Sequence, residues 1–210
     1  MRTARLINLL LMLGVAGLHA GPLDAKEATR PPTGPVITIH APHAQQFEIA
    51  PDEAELDWSR TPGAKTRAFG RQAKPVSGAS FVESDGVRAR ATFAPVGNLA
   101  ELQGMAAALR AANPGAEAYL VVYEPGRPKG AATRRLLTRE VGLLMGPGEN
   151  PQQAVAGLPV SDIRPVAGVA DGYVVDAADA IAALDLADAL RQRPGVRNAY
   201  PLLRRTLFPR

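Results

Sequence analysis

The alternation of hydrophobic and polar residues changes character near Ser80, and the elements it predicts differ on the two sides. Residues 87–94, "VRARATFA", alternate apolar and basic side chains, the two-residue period of a half-buried strand. In "NLAELQGMAAALRAANPG", Leu99, Leu102, Met105 or Ala106, and Leu109 fall on one helical stripe. Asn98 stands at the cap position with Glu101 three residues on, a variant of the capping box, and Asn113-Pro114-Gly115 stops the helix. Residues 117–123 predict a further strand, closed by Pro125-Gly126. Over residues 81–130 this is a strand–helix–strand unit, for which a parallel pair joined by a crossover helix is expected.

The last third carries a cleaner pattern. Residues 135–145, "RRLLTREVGLLM" with its leading arginine, predict a strand. "NPQQAVAG" predicts a very short helix with Asn150 as cap, Pro151 at the first helical position and Gly157 at the exit. "VSDIRPVAG" and "DGYVVDA" read as two strands meeting around residues 168–172. "DAIAALDLADALRQRPG" is a helix with Asp179 at its start, Arg191 and Arg193 at its end, and a wide apolar face of Ile181, Leu184, Leu186, Ala187 and Leu190. "VRNAYP" is the final strand. The order βαββαβ over residues 131–203 is the ferredoxin-like, split-βαβ motif, so the class expected is α+β. Residues 204–210 are expected to leave it as an extended basic tail.

Upstream of Ser80 no period persists. "RPPTGP", "APHAQQ", "AELDWSRTPGAK" and "KPVSGAS" mark residues 21–80 as a Pro/Gly-rich, largely irregular linker, with one possible strand at residues 36–39. Trp58 lies among charges and reads as an exposed aromatic. Residues 1–20 differ again: Arg2 and Arg5 precede an apolar run from Leu6 to Leu18, and small residues follow at Val15-Ala16-Gly17 or Leu18-His19-Ala20. That is the composition of a cleaved secretory signal, with a run too short to span a bilayer comfortably. The expected location is therefore secreted or periplasmic, with no stable membrane insertion after cleavage. Removing this segment lowers the net charge from +4 to +2, too little to argue for nucleic acid as a partner. The chain has 0 Cys, which excludes disulfides and thiol chemistry.

Candidate chemistry is sparse. Of His19, His40 and His43, the first leaves with the signal and the others lie in the expected linker, so no histidine is placed for a Ser-His-Asp machine. His40 and His43 have ligand-like spacing but no third ligand, and no metal or cofactor is predicted. No G-x-S-x-G, P-loop or G-x-G-x-x-G occurs. Asp176, Asp179, Asp185 and Asp188 read as caps and a solvated helix face. Arg134, Arg135 and Arg139 read as charges guarding a strand. The feature left over is the end of the chain. Pro201 suits the termination of an edge strand, and Leu202, Leu203, Arg204 and Arg205 then mix apolar and basic groups as a groove-bound peptide does.

Residues 171–210, "DGYVVDAADAIAALDLADALRQRPGVRNAYPLLRRTLFPR", resemble the region ahead of the catalytic domain in secreted bacterial subtilisin-like serine proteases. The shared features are a helix ending in Arg193-Pro194-Gly195-Val196, a short strand ending in Pro201 and a basic linker. The similarity extends upstream through "YLVVYEPGRPKGAATRRLLTREVGLL" and covers roughly residues 87–209. The resemblance implies a propeptide-like domain that packs its sheet on a protease domain, assists its folding and inhibits it. Tyr200, Pro201, Leu202, Leu203, Arg204 and Arg205 would then form the protease-binding tail. The family's Asp-Thr/Ser-Gly, His-Gly-Thr and Gly-Thr-Ser-Met-Ala motifs are absent, so a truncated or split precursor without enzymatic activity is expected. The alternative is a non-catalytic periplasmic α/β binding or scaffold protein.

Overall fold

Two long strands, β2 (Ala44–Asp57) and β6 (Arg134–Met145), organise the sheet. The computed structural model describes residues 34–205 apart from 42, 128 and 131. The signal segment 1–20 and tail residues 206–210 lie outside the described residues. Ahead of β2 stands β1 (Val36–His40). Between the two long strands come α1 (Ala64–Arg67), a 3-10 turn (Phe69–Gln72), β3 (Ala79–Ser84), β4 (Arg88–Phe93), α2 (Leu99–Ala112) and β5 (Glu117–Tyr123). After β6 come α3 (Pro151–Val155), β7 (Asp162–Pro165), β8 (Gly172–Asp176), α4 (Ala180–Arg191) and β9 (Val196–Arg204). The strands run β3-β4-β2-β5-β6-β8-β7, with β1 beside β2 and β9 beside β6, and every pairing is antiparallel. The class is α+β.

Local chemistry explains the helices. Asn98 accepts from the Glu101 N–H at 2.9 Å, and Glu101 reaches back to the Gly97 N–H at 2.9 Å, one residue earlier than in the usual capping box. Asp179 caps α4 twice, accepting from Ile181 and Ala182 at 2.9 Å. Both helices are followed by Pro-Gly, and Gly115 and Gly195 take φ values of 82° and 76°, which a side chain disfavours.

The expected linker is corrected here. Residues 36–84 carry β1, β2 and β3, and β2 is fourteen residues long and buried over most of its length. Glu53, Ala54, Glu55, Leu56 and Asp57 alternate as a strand should, but their acids disguise it. The expected parallel βαβ pair is corrected by the same strand. β4 and β5 do not pair, because β2 lies between them, antiparallel to both. Trp58 is also corrected: it is 3% exposed, and its indole N–H donates to the Pro114 carbonyl at 3.2 Å.

The two halves repeat one another. The order within the first is β3-β4-β2-β5, and within the second β7-β8-β6-β9. In each, a hairpin follows the first strand and a long helix precedes the last. The registers agree in detail. Tyr119 faces Glu55 and Leu120 faces Ala54, then the register shifts and Val122 faces Ile49. Tyr200 faces Gly142 and Pro201 faces Val141, then the register shifts and Leu203 faces Leu137. A sequence echo accompanies it: Ala108-Leu109-Arg110 with Ala118-Tyr119, against Ala189-Leu190-Arg191 with Ala199-Tyr200, each 81 positions on.

All the long helices lie on one face. Leu102 and Leu109 of α2 pack with Leu56, Leu120, Val122 and Leu137. Leu186, Ala187 and Leu190 of α4 pack with Val141, Leu143, Met145 and Val175. Each buried leucine contributes about 1.5–3 kcal/mol, so these stripes fix which face the helices cover.

Candidate functional site: the helix-free face of the sheet

Because side chains alternate along a strand, the residues between the core positions line the opposite face. That face carries Glu53, Glu55 and Asp57 of β2, Tyr119 and Tyr123 of β5, Arg134, Thr138 and Glu140 of β6, and Asp176 of β8. All nine are buried. Such carboxylates are stable only when paired. Arg134 pairs with Glu55, and its Nε lies 3.7 Å from Glu53. Arg90 Nε reaches Glu53 at 3.1 Å, and the Tyr123 hydroxyl donates to Glu53 at 2.9 Å. Glu140 takes Arg60 at 2.6 Å and also Arg164. Asp176 takes Arg164 at 2.7 Å and Arg139 at 3.3 Å. Arg204 donates to Tyr119 Oη at 2.8 Å and to Asp57 at 3.3 Å, with its guanidinium 5.5 Å from the Tyr119 ring centre.

The electrostatics follow from this layering, with carboxylates at the floor and guanidiniums above. The Glu140 hydrogen bond raises the Arg60 pKa. Arg164 is raised as well: burial works against its charge, but bonding to Asp176 outweighs it. Burial pushes the Tyr119 phenol up to about 12. Burial raises Tyr123 also, reinforced by Glu53.

In the second half this face has an apolar centre. Leu144, Val174, Tyr200 and Leu202 are each half-buried, and Glu140, Asp176 and Arg164 rim them. A Cβ on Gly142 would lie 3.1 Å from the Tyr200 ring and from Leu202 Cδ2, so the missing side chain lets both lie flat across the sheet.

No family model, curated protein or solved structure matches this chain.

The residues expected to form a free tail are therefore mostly elsewhere. Tyr200, Leu202 and Arg204 lie within β9 on the helix-free face, Pro201 is buried opposite Val141, and Leu203 packs against the core beside Leu137. Only Arg205 follows the strand, exposed. The strand does not end at Pro201, because that residue turns its nitrogen away from β6. The Ala199 carbonyl accepts from Arg191 on the outer side, whereas the Leu202 carbonyl accepts from Thr138 on the β6 side. Backbone direction alternates, so Pro201 faces outward and its missing N–H leaves the ladder intact.

His40 belongs to β1, where its carbonyl accepts from Asn198 at 2.9 Å, and His43 is exposed. Among the described residues no group of three or more His, Cys, Asp or Glu is placed to hold a metal ion. No helix among them is long and apolar enough to cross a membrane. Sequence reasoning missed Glu53, Glu55, Asp57 and Glu140 as members of one network. The legible signals were the acid–apolar alternation of β2 and the 81-residue echo.

Proposed function

We propose that this chain is an exported, non-catalytic prodomain-type module that docks a subtilisin-like serine protease domain through its helix-free sheet face, assists its folding and inhibits it. The observation that carries the reading is the order β7-β8-β6-β9 with α3 and α4 on one face. We read that order as the ferredoxin-like one within a larger nine-stranded sheet, with one sheet face left without helices for a partner. The apolar centre at Leu144, Val174, Tyr200 and Leu202, within its charged rim, has the anatomy of a protein-binding patch. The resemblance over residues 87–209 supplies the partner class, and the composition of residues 1–20 supports export.

A second reading, a periplasmic binding or scaffold protein without a protease partner, is favoured by one observation: β9 stays paired through Arg204, so residues 200–204 do not hang free as a pseudo-substrate. One experiment separates the two. The coding DNA beyond the Arg210 codon is read for a subtilase frame, and the purified chain is titrated against that protease domain. The prodomain reading expects such a frame, stoichiometric slowing of peptide hydrolysis and faster refolding of the denatured protease. Unrelated genes, or unchanged hydrolysis and refolding, refute it.

A further inference from the structure

We infer that the outer edge of β9, centred on Leu203, is a docking site for an extended, carboxylate-bearing strand of another protein. The internal repeat carries the argument. Leu120 to Tyr123 of β5 face the first half of β6 across their outer edge, with Leu120 opposite Leu137 and Tyr123 opposite Arg134. The equivalents 81 positions on are Pro201 to Arg204, and their inner edge follows that of β5, with a register shift at the same point of the ladder that is one residue shorter on β6 than on β2. The same use of an edge recurs at the start of the sheet. Val36 and Ile37 of β1 face Glu48 and Phe47, as Val121 and Val122 of β5 face Leu136 and Arg135. Last strand against next first strand is thus formed once, by β5 and β6, with β1 in the equivalent place beside β2. Among the described residues no strand pairs with the outer edge of β9, and β1 meets β9 only near its start, where Asn198 donates to the His40 carbonyl.

The backbone there is aimed correctly. With Ala199 and Pro201 turned outward, Leu203 is turned outward too, presenting its N–H and carbonyl away from β6. Pro201 contributes an acceptor only, which sets Leu203 as the donor that an added strand must meet. The chemistry of the occupant follows from the flanks. Arg197 and Arg205 are exposed on either side of the half-buried Leu203. An added antiparallel strand therefore places an apolar residue beside Leu203 and carboxylates near the two arginines. A second copy of this chain is the poorer occupant, since it would set one arginine-bearing strand against another.

The test uses the full chain, labelled with 15N, and the peptide acetyl-Glu-Val-Glu-Val-Glu-Val-Glu-amide. In the free protein the Leu203 amide should exchange rapidly while the Leu202 amide, facing β6, is protected. A protected Leu203 amide overturns the proposal before any peptide is added. With peptide, Leu203 exchange should slow at least tenfold and shifts should concentrate at residues 199–205, with no such effect from the Lys-for-Glu peptide. N-methylation of Leu203, introduced by ligation at Asn198-Ala199, removes only the outward donor and should weaken binding about tenfold. If that protein does not fold, the exchange data on the unmodified chain decide. Equal response to both peptides, shifts confined to Leu144 and Val174, or a concentration-dependent dimer that protects Leu203 each overturn the inference.

Discussion

Replacing Arg134 by methionine removes the cation from the most buried part of the network. Its side chain is 5% exposed, and the Glu55 side chain beneath it is 0% exposed. Methionine fills a similar volume, so the perturbation is electrostatic rather than a cavity. Glu55 loses the Arg134 bond, and Glu53 loses a cation 3.7 Å away while keeping Arg90 at 3.1 Å. Removing one partner of a buried pair costs about 3–5 kcal/mol, because the carboxylate left behind has surrendered its hydration. For a folded unit of this size each kcal/mol shifts Tm by about 2–4 °C, so the variant should melt roughly 6–20 °C lower.

Urea unfolding followed by tryptophan emission reads this directly, since Trp58 is the only tryptophan and is buried. The decisive comparison is the double variant Arg134→Met with Glu55→Met. Replacing both members of a buried pair by apolar groups is often neutral or stabilising, so the double variant should recover most of the loss. A single-variant cost below about 1 kcal/mol would mean that the pair is solvated and the face is not a dry network. A double variant as unstable as the single would place the cost in packing instead.

Four further outcomes follow from particular contacts. Asp85 accepts from the Val87 and Arg88 N–H groups at 2.8 and 2.7 Å and from the Arg88 guanidinium; burial opposes its charge, but these bonds win and lower its pKa below 3.8. Its stabilisation is therefore full above that value and lost as pH falls through the lower folded pKa. Asp85→Asn should be less stable than the parent at pH 7 and converge with it only as pH falls from 3.8 through the lower folded pKa, in pH-dependent denaturant midpoints. Gly142→Ala sets a Cβ 3.1 Å from Tyr200 and Leu202 and should cost about 1–3 kcal/mol by urea unfolding, much of it relieved by adding Tyr200→Ala. Asp179→Ala should cost about 1–2 kcal/mol by the same assay, since two cap bonds and the Gln103 contact at 2.6 Å are lost together. In ultraviolet titration one phenol should ionise only near pH 12, and Tyr119→Phe should remove that step.

The second half of the fold was legible because its local signals agree with its packing. Asn150, Pro151 and Gly157 bracket α3, Asp179 and Arg191 bracket α4, and apolar stripes sit where the helices meet the sheet. The first half was not, because β2 inverts a rule. Its alternation pairs Ala54 and Leu56 with Glu53, Glu55 and Asp57, and acids at every second position read as solvent-facing when their partners are unseen. Those partners come from Arg90 at 37 positions' remove and Arg134 and Arg204 much further on, a separation that no local window spans. The β9 boundary failed for a related reason. Proline ends a strand only if its nitrogen faces a partner, and that depends on register rather than on residue type.

The repeat also explains why the charges sit where they do. Glu53 faces Thr92 and Ala54 faces Ala91, as Glu140 faces Asp176 and Val141 faces Val175, so Glu53 and Glu140 occupy the same place in the two halves. Each is a buried carboxylate on the helix-free face at the point where the register shifts. The cations that meet them differ: Glu53 takes Arg90 from the neighbouring strand β4, and Glu140 takes Arg164 from β7 together with Arg60 from the loop after β2. Arg60 and Arg134 therefore cross between halves in opposite directions, first half to Glu140 and second half to Glu55. The halves share the β5–β6 ladder and one core, in which Leu137, Ala180 and Leu203 of the second half pack with Leu56, Leu102 and Leu120 of the first. Reciprocal ion pairs on the face opposite the helices add a second tie between the halves, so that helix-side packing and helix-free-side charges hold the same junction from its two faces.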